Sequence, residues 1–390
     1  MSPTRLEEDT KQFRTKPDSN DEVIVRKLLE DLPQSLAWRN SGPASVDFRS
    51  DVITRPSMSM LAAIIQTTLN DDVFREDTTT LDFEAEMAER CGMDAAAFTI
   101  TGTMANQLGL RTLLTQPPRA ILTDARAHIV TNEAGGPAFL SGAMMQTVTP
   151  RNGKYLTLED IESNAQITDN VHKCPTRVIA LENTISGIVV PLEEMRRISH
   201  WARENGGLLH LDGARLFEAV ATGAGSLRDY CTLVDTVTID FSKELGAPMG
   251  AMLLGKHSLI AQARRVRKSI GGGMRQSGVL TAACRVGVEE QFGYGEWGSE
   301  SSNIRAVHRM AKRVGAMWTN RGGELSLPVE TNQVWLNLDS VGISQEQWDN
   351  IGERHGIRFD GPRLVLHHQI NEEALNRLAE AFDDVLSHRR

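Results

Sequence analysis

Cysteine is scarce in this chain: four residues in 390, Cys91, Cys174, Cys231 and Cys284, lie far apart and form no C-x-x-C pair. That spacing suggests neither a zinc site nor a disulfide framework, and no metal is expected. No apolar run approaches the roughly 18 residues of a membrane-spanning helix. The N-terminal MSPTRLEEDTKQFRTKPDSNDE lacks the apolar core of a secretory signal. Reduced thiols and no signal lead us to expect a cytoplasmic protein with no membrane partner. A long Lys/Arg block is missing too: 42 basic against 51 acidic residues give a formal charge of −9 and a pI near 5.7. The electrostatic footprint of a nucleic-acid binder is therefore absent, and small-molecule chemistry is favoured. There are no internal repeats and no low-complexity segment.

What is present is a chain with 40% hydrophobic residues and a mean hydropathy of −0.29, enough to bury a sizeable core. Residues 1–45 are polar and charged, with one amphipathic stretch, VIVRKLLEDL, and read as an appended arm or a tail. From about residue 94 short apolar runs end in Gly, Thr, Asp or Asn and pass into segments of helical period: AAAFTI before TGTMANQLGLRTLL, RVIALEN before PLEEMRRISHWAREN, GLLHLD before GARLFEAVA. The alternation predicts an α/β large domain over 46–300, a mostly parallel central sheet with helices on both faces. Ligand sites belong at the carboxyl ends of its strands. After about residue 300, NIRAVHRMAKRVGAMWTN, short strands near VWLNLDS and PRLVLHH and a final amphipathic helix predict a smaller α+β C-terminal domain over 301–390.

Three strand ends carry complementary chemistry. Thr101-Gly102-Thr103 opens a helix whose free N–H groups and positive dipole end can accept a phosphate, although plain threonine capping explains it as well. Asp212, closing LLHLD, is either a helix cap or a carboxylate that pairs with a protonated ring nitrogen. Ser242-Lys243 follows TVTIDF and precedes a helix-incompatible Gly-Ala-Pro, so the lysine is held near the cleft, where partial desolvation makes its amine nucleophilic. A lone loop lysine is usually solvated surface. Together the three describe a phosphorylated, cationic heteroaromatic cofactor with an aldehyde.

At this point the motifs FRSDVITRP, DDVFRED, TGTMANQ, AHIVTNEAGG, LENTISG, LHLDGARLF, FSKELGAPMG and GGGMRQSG, in this order from about Asp47 onward, are in view. The chain resembles the threonine aldolase and β-eliminating lyase group of fold-type-I pyridoxal-phosphate enzymes. The resemblance implies pyridoxal 5′-phosphate as cofactor, held by Lys243 as a Schiff base. It puts Asp212 on the pyridine nitrogen, Gly102, Thr103 and Ser242 at the phosphate, and His128 against the ring near the reacting side chain. Arg215, beside the cofactor, joins Ser50 and Arg363 as a clamp for the carboxylate of a small amino-acid substrate, with Lys243 and His128 catalytic. It also implies a homodimer or homotetramer.

Two departures bear on the substrate. Ile185 stands where many bacterial members carry a histidine, and Phe74-Arg75 where tyrosine and glycine are common. The expected activity is cleavage of a β-hydroxy-α-amino acid of the threonine or allo-threonine type to glycine and an aldehyde. The alternative is an amino-acid racemase acting on alanine, known among fungal relatives. A catalytically silent scaffold is disfavoured by the joint presence of Lys243, Asp212 and Arg363.

Overall fold

The structure, a computed structural model, describes residues 19–293 and 302–386. Residues 1–18, the first part of the expected arm, lie outside the described residues. Seven strands form the central sheet in the order β1-β7-β6-β5-β4-β2-β3. They are β1 (Ala95–Thr99), β2 (Ala120–Asp124), β3 (Met144–Val148), β4 (Thr176–Glu182), β5 (Leu208–Gly213), β6 (Thr236–Asp240) and β7 (Ala251–Gly255). Only β7 runs against its neighbours, pairing antiparallel with both β1 and β6. The architecture is the α/β arrangement expected from the sequence, a mostly parallel central sheet with a smaller C-terminal unit.

Chain composition explains the layering. AILTD, TVTID and AMLLG are buried at every position, as strands covered on both faces must be. The main core gathers Phe83, Met87, Leu122, Ile179, Leu211, Ile239 and Met252 from strands and covering helices. The outermost strand β3, MMQTV, keeps Met144 exposed, in line with its place at the sheet edge.

The C-terminal unit has its own core. Helix Asn303–Thr319, the antiparallel pair β8 (Gln333–Trp335) and β9 (Arg363–Val365), and helices Gln345–Arg354 and Glu372–Leu386 enclose Trp318, Trp348, Leu364 and Phe382. Trp348 stacks on Phe359 at 4.3 Å between ring centroids. Phe48, from the beginning of the large segment, is buried in this second core; its N–H donates to the Arg358 carbonyl, and its own carbonyl accepts from Val365 N–H. Conversely Ile304 packs into the main core. The chain thus passes through the small unit before it enters the large one, a route that local periodicity does not show. Helix Ser19–Glu30, in the expected arm, packs against helix Met58–Ile65.

Candidate active site

The carboxyl ends of β4, β5 and β6 and the start of helix Gly102–Leu113 enclose a cleft of about 190 Å³. Gly102, Thr103, His128, Asp212, Arg215, Ser242 and Lys243 all line it, so the structure brings seven of the nine residues named from sequence to one place. Ser50 and Arg363 are not among its described lining residues. Ser50 caps the turn Asp51–Ile53 by accepting from Val52 N–H at 3.4 Å, and Arg363 donates from Nη2 to the Arg49 carbonyl at 3.1 Å.

The phosphate-type corner is built by close packing. Thr101 caps the helix by accepting from Met104 N–H at 3.1 Å, which leaves the N–H groups of Gly102 and Thr103 unclaimed within the helix. A Cβ at position 102 would stand 2.7 Å from Asp240 Oδ2, so any larger residue there would displace the Asp240 carboxylate. Asp240 Oδ1 accepts from both the N–H and the hydroxyl of Ser242, each at 2.8 Å. The Ser242 hydroxyl thus spends its proton on Asp240 and faces the cleft as an acceptor. Lys243 Nζ lies 3.7 Å from Asp240 Oδ2, and its carbonyl accepts from Thr54 Oγ1 at 2.6 Å.

Asp212 is 4% exposed, and both its oxygens are held: Oδ2 accepts from Asn106 Nδ2 at 2.7 Å and Oδ1 from Ala214 N–H at 3.0 Å. Two donors hold the carboxylate in a fixed orientation at the floor of the cleft. Asn106 is the hub. Its Nδ2 also donates to Glu133 Oε1 at 2.9 Å, and its Oδ1 lies 3.1 Å from His210 Nε2. Burial pushes His210 down to about 4, so the ring is neutral near pH 7. With Oδ1 as acceptor, Nε2 carries the hydrogen, and Nδ1 accepts from Thr236 Oγ1 at 2.9 Å.

His128, its side chain 40% exposed, lies with Nδ1 2.8 Å from Glu133 Oε1, while Gln107 Nε2 donates to Glu133 Oε2 at 2.5 Å. The hydrogen bond to Glu133 raises the His128 value against the effect of burial. His128, Glu133 and Asp212 offer ligand atoms within 4.8 Å of one another. Asn106 Nδ2, a donor, contacts both carboxylates, which suits an acid network better than a metal ion. Glu182 is paired in register with Asp212 and accepts from His128 N–H at 2.8 Å. Burial, reinforced by the neighbouring Asp212 charge, pushes Glu182 up to about 7.

Arg215 is engaged already. Its Nε and Nη2 donate to Asp51 Oδ2 and Oδ1 at 2.8 and 2.5 Å, and Asn332 Nδ2 donates to Asp51 Oδ2 at 3.0 Å. Burial works against the Asp51 charge, but Arg215, Lys243 and Asn332 overcome it and hold the carboxyl well below its ordinary value. Sequence reasoning missed Asp51, Asn106, Glu133 and Glu182. Two local signals were available: Asn106 sits one helical turn after Gly102, and Glu182 closes a strand as Asp212 does.

The family description "Beta-eliminating lyase" matches residues 47–340. The chain belongs to that family. Within it, this β-eliminating lyase relative is 54% identical to the alanine racemase TOXG of Cochliobolus carbonum, over 95% of this chain and 94% of that protein. It is 50% identical to the aldolase vrtJ of Penicillium aethiopicum, over 93% and 92% of the two chains, and 42% identical to a low-specificity L-threonine aldolase of Eremothecium gossypii, over 87% of each. The solved structure of Leishmania major threonine aldolase superposes with a TM-score of 0.73 over 87% of this chain and 99% of that one; at 22% identity it speaks for the fold. The protein is thus a member of the threonine aldolase and β-eliminating lyase group of pyridoxal-phosphate-dependent enzymes, with relatives named both as aldolases and as a racemase.

Proposed function

We propose that the protein holds pyridoxal 5′-phosphate on Lys243 and interconverts the enantiomers of a small amino acid, alanine above others. The observation that carries the reaction is the 54% identity to a protein named as an alanine racemase. Cleavage, put first on motifs alone, takes second place for that reason and for the fate of position 185. Ile185 is 3% exposed and packs in the main core, so it offers a substrate hydroxyl no partner.

The donor set fits the cofactor. Lys243 provides the amine, Asp212 an acceptor oriented by Asn106 and Ala214, and the Gly102 and Thr103 N–H groups a phosphate seat. When bound, the cofactor supplies an electron sink that weakens the bonds at the substrate Cα. Lys243 exchanges the Cα proton on one face. His128, with Nδ1 fixed by Glu133, presents Nε2 to exchange a proton on the other. Ser50, Arg215 and Arg363 bind and orient the substrate carboxylate, which decides the bond that breaks. Assembly as a homodimer or homotetramer belongs to the same proposal; Phe74, 67% exposed, suits a residue that reaches a neighbour's cleft.

One observation favours the aldolase reading: Thr184 lines the cleft, and its buried Oγ1 has no hydrogen-bond partner, so it could meet a substrate hydroxyl. Incubation with L-alanine in deuterated water, assayed for D-alanine and Cα deuterium, separates the two when run beside L-threonine, L-allo-threonine and phenylserine assayed for aldehyde. Labelled D-alanine without aldehyde supports racemisation. Aldehyde without D-alanine places the protein with the aldolases.

A further inference from the structure

We propose that Asp51 is a positioning residue for the substrate carboxylate: it fixes Arg215 in the cleft and cancels its charge, leaving Arg363 to supply the uncompensated positive charge. The proposal rests on the reading of the protein as an amino-acid enzyme given above.

Asp51 is fully buried and takes the Nε and Nη2 hydrogens of Arg215, the side-on pair of donors that a guanidinium usually offers to a carboxylate. A substrate carboxylate in the cleft therefore meets the remaining Nη1 edge, at a position set by Asp51. The pair is neutral as a whole, and Asn332 fastens its acidic partner. Arg363 differs. It bonds one backbone carbonyl and, among the described residues, forms no ion pair with a carboxylate. Burial and then the like charge of Arg215 lower its value, and its bond to Arg49 O ties it to the segment that carries Asp51, two residues before the carboxylate that holds Arg215.

The segment that carries Asp51 is tied on both sides. Arg49 O accepts from Arg363, and Asp47 O accepts from His367 Nε2 at 3.0 Å, both from the C-terminal unit. Thr54 Oγ1 donates to the Lys243 carbonyl. Asp51 thus sits on a strap between the C-terminal unit and the cleft, and its carboxylate sets where Arg215 stands relative to Arg363 and Lys243. Removing its charge leaves the Arg215 and Arg363 guanidiniums without a carboxylate partner, while Lys243 keeps Asp240. Attraction for the anion survives while its placement is lost.

The test uses the full-length, cofactor-loaded protein and its Asp51→Asn and Arg363→Gln variants. The absorbance change of the bound cofactor is followed during titration with L-alanine and with ethylamine, which lacks a carboxylate, and turnover is measured in parallel. Asp51→Asn is expected to keep the preference for L-alanine, with a dissociation constant within about threefold of the parent, while kcat falls by about tenfold or more. Arg363→Gln is expected to lose the preference. Loss of the preference in Asp51→Asn to the same extent, or a kcat within about twofold of the parent, overturns the proposal. If Asp51→Asn does not load cofactor, Asn332→Ser, which frees Asp51 of its second donor, is expected to lower kcat by about threefold with the preference intact, and an unchanged kcat overturns the proposal. If the parent turns over neither alanine nor threonine, the functional reading fails, while the preference in the two variants still decides the role of Asp51.

Discussion

Glu182→Gln should flatten the pH dependence of folding between pH 5 and 8. Glu182 and Asp212 are register partners on adjacent parallel strands, where backbones run about 4.8 Å apart. Burial and the Asp212 charge lift Glu182 from 4.5 to about 7. Between those values the native protein keeps a proton that the unfolded chain has released. Unfolding then sheds a proton, and stability must fall as pH rises. About 2.5 pH units at 1.36 kcal/mol each amount to roughly 3 kcal/mol, most of which is lost between pH 5 and pH 8. Gln cannot ionise and escapes this loss, while other titrating groups are common to both proteins. Urea unfolding of the cofactor-free protein and of Glu182→Gln at pH 5 and pH 8 measures the difference. Stability curves that run parallel over this range would refute the raised value and the argument from strand adjacency.

Two further substitutions probe the site and the second core. Asn106→Leu removes the donor shared by Asp212 and Glu133 and leaves two buried carboxylate oxygens short of a partner. A cost of about 2–4 kcal/mol in unfolding free energy is expected, together with weaker cofactor retention on dialysis; unchanged retention would show that Asp212 does not depend on this amide. Trp348→Ala empties a fully buried site stacked on Phe359 and should cost about 3–5 kcal/mol by urea unfolding, with little effect on cofactor binding by the large unit.

The sequence carried the α/β architecture because buried parallel strands are written as short apolar runs, each closed by a small or polar residue. AAAFTI, GLLHLD and TVTID were legible in that way, and so were the residues at their ends. The reversal of β7 was not, since AMLLG reads the same in either direction. Gly102, Thr103, Asp212, Ser242 and Lys243 sit at strand ends or on the turns that follow, which is why local reading found them together. Partners that hold them are distant in the chain: Asp51 meets Arg215 across 164 positions, and Asn106 meets Asp212 across 106. A carboxylate such as Asp51, between Ser50 and Val52 in a short turn, looks like any polar loop residue until the fold buries it. Phe48 escaped for a similar reason, because its partners in the second core lie near the other end of the chain.

The account depends most on Lys243 as the anchor of the cofactor. Borohydride reduction of the cofactor-loaded protein, followed by proteolysis and mass spectrometry, should find the pyridoxyl group on the peptide that contains Lys243, and Lys243→Ala should lose both the label and the visible absorbance band. Label on another lysine, or a band that persists in Lys243→Ala, would contradict the account.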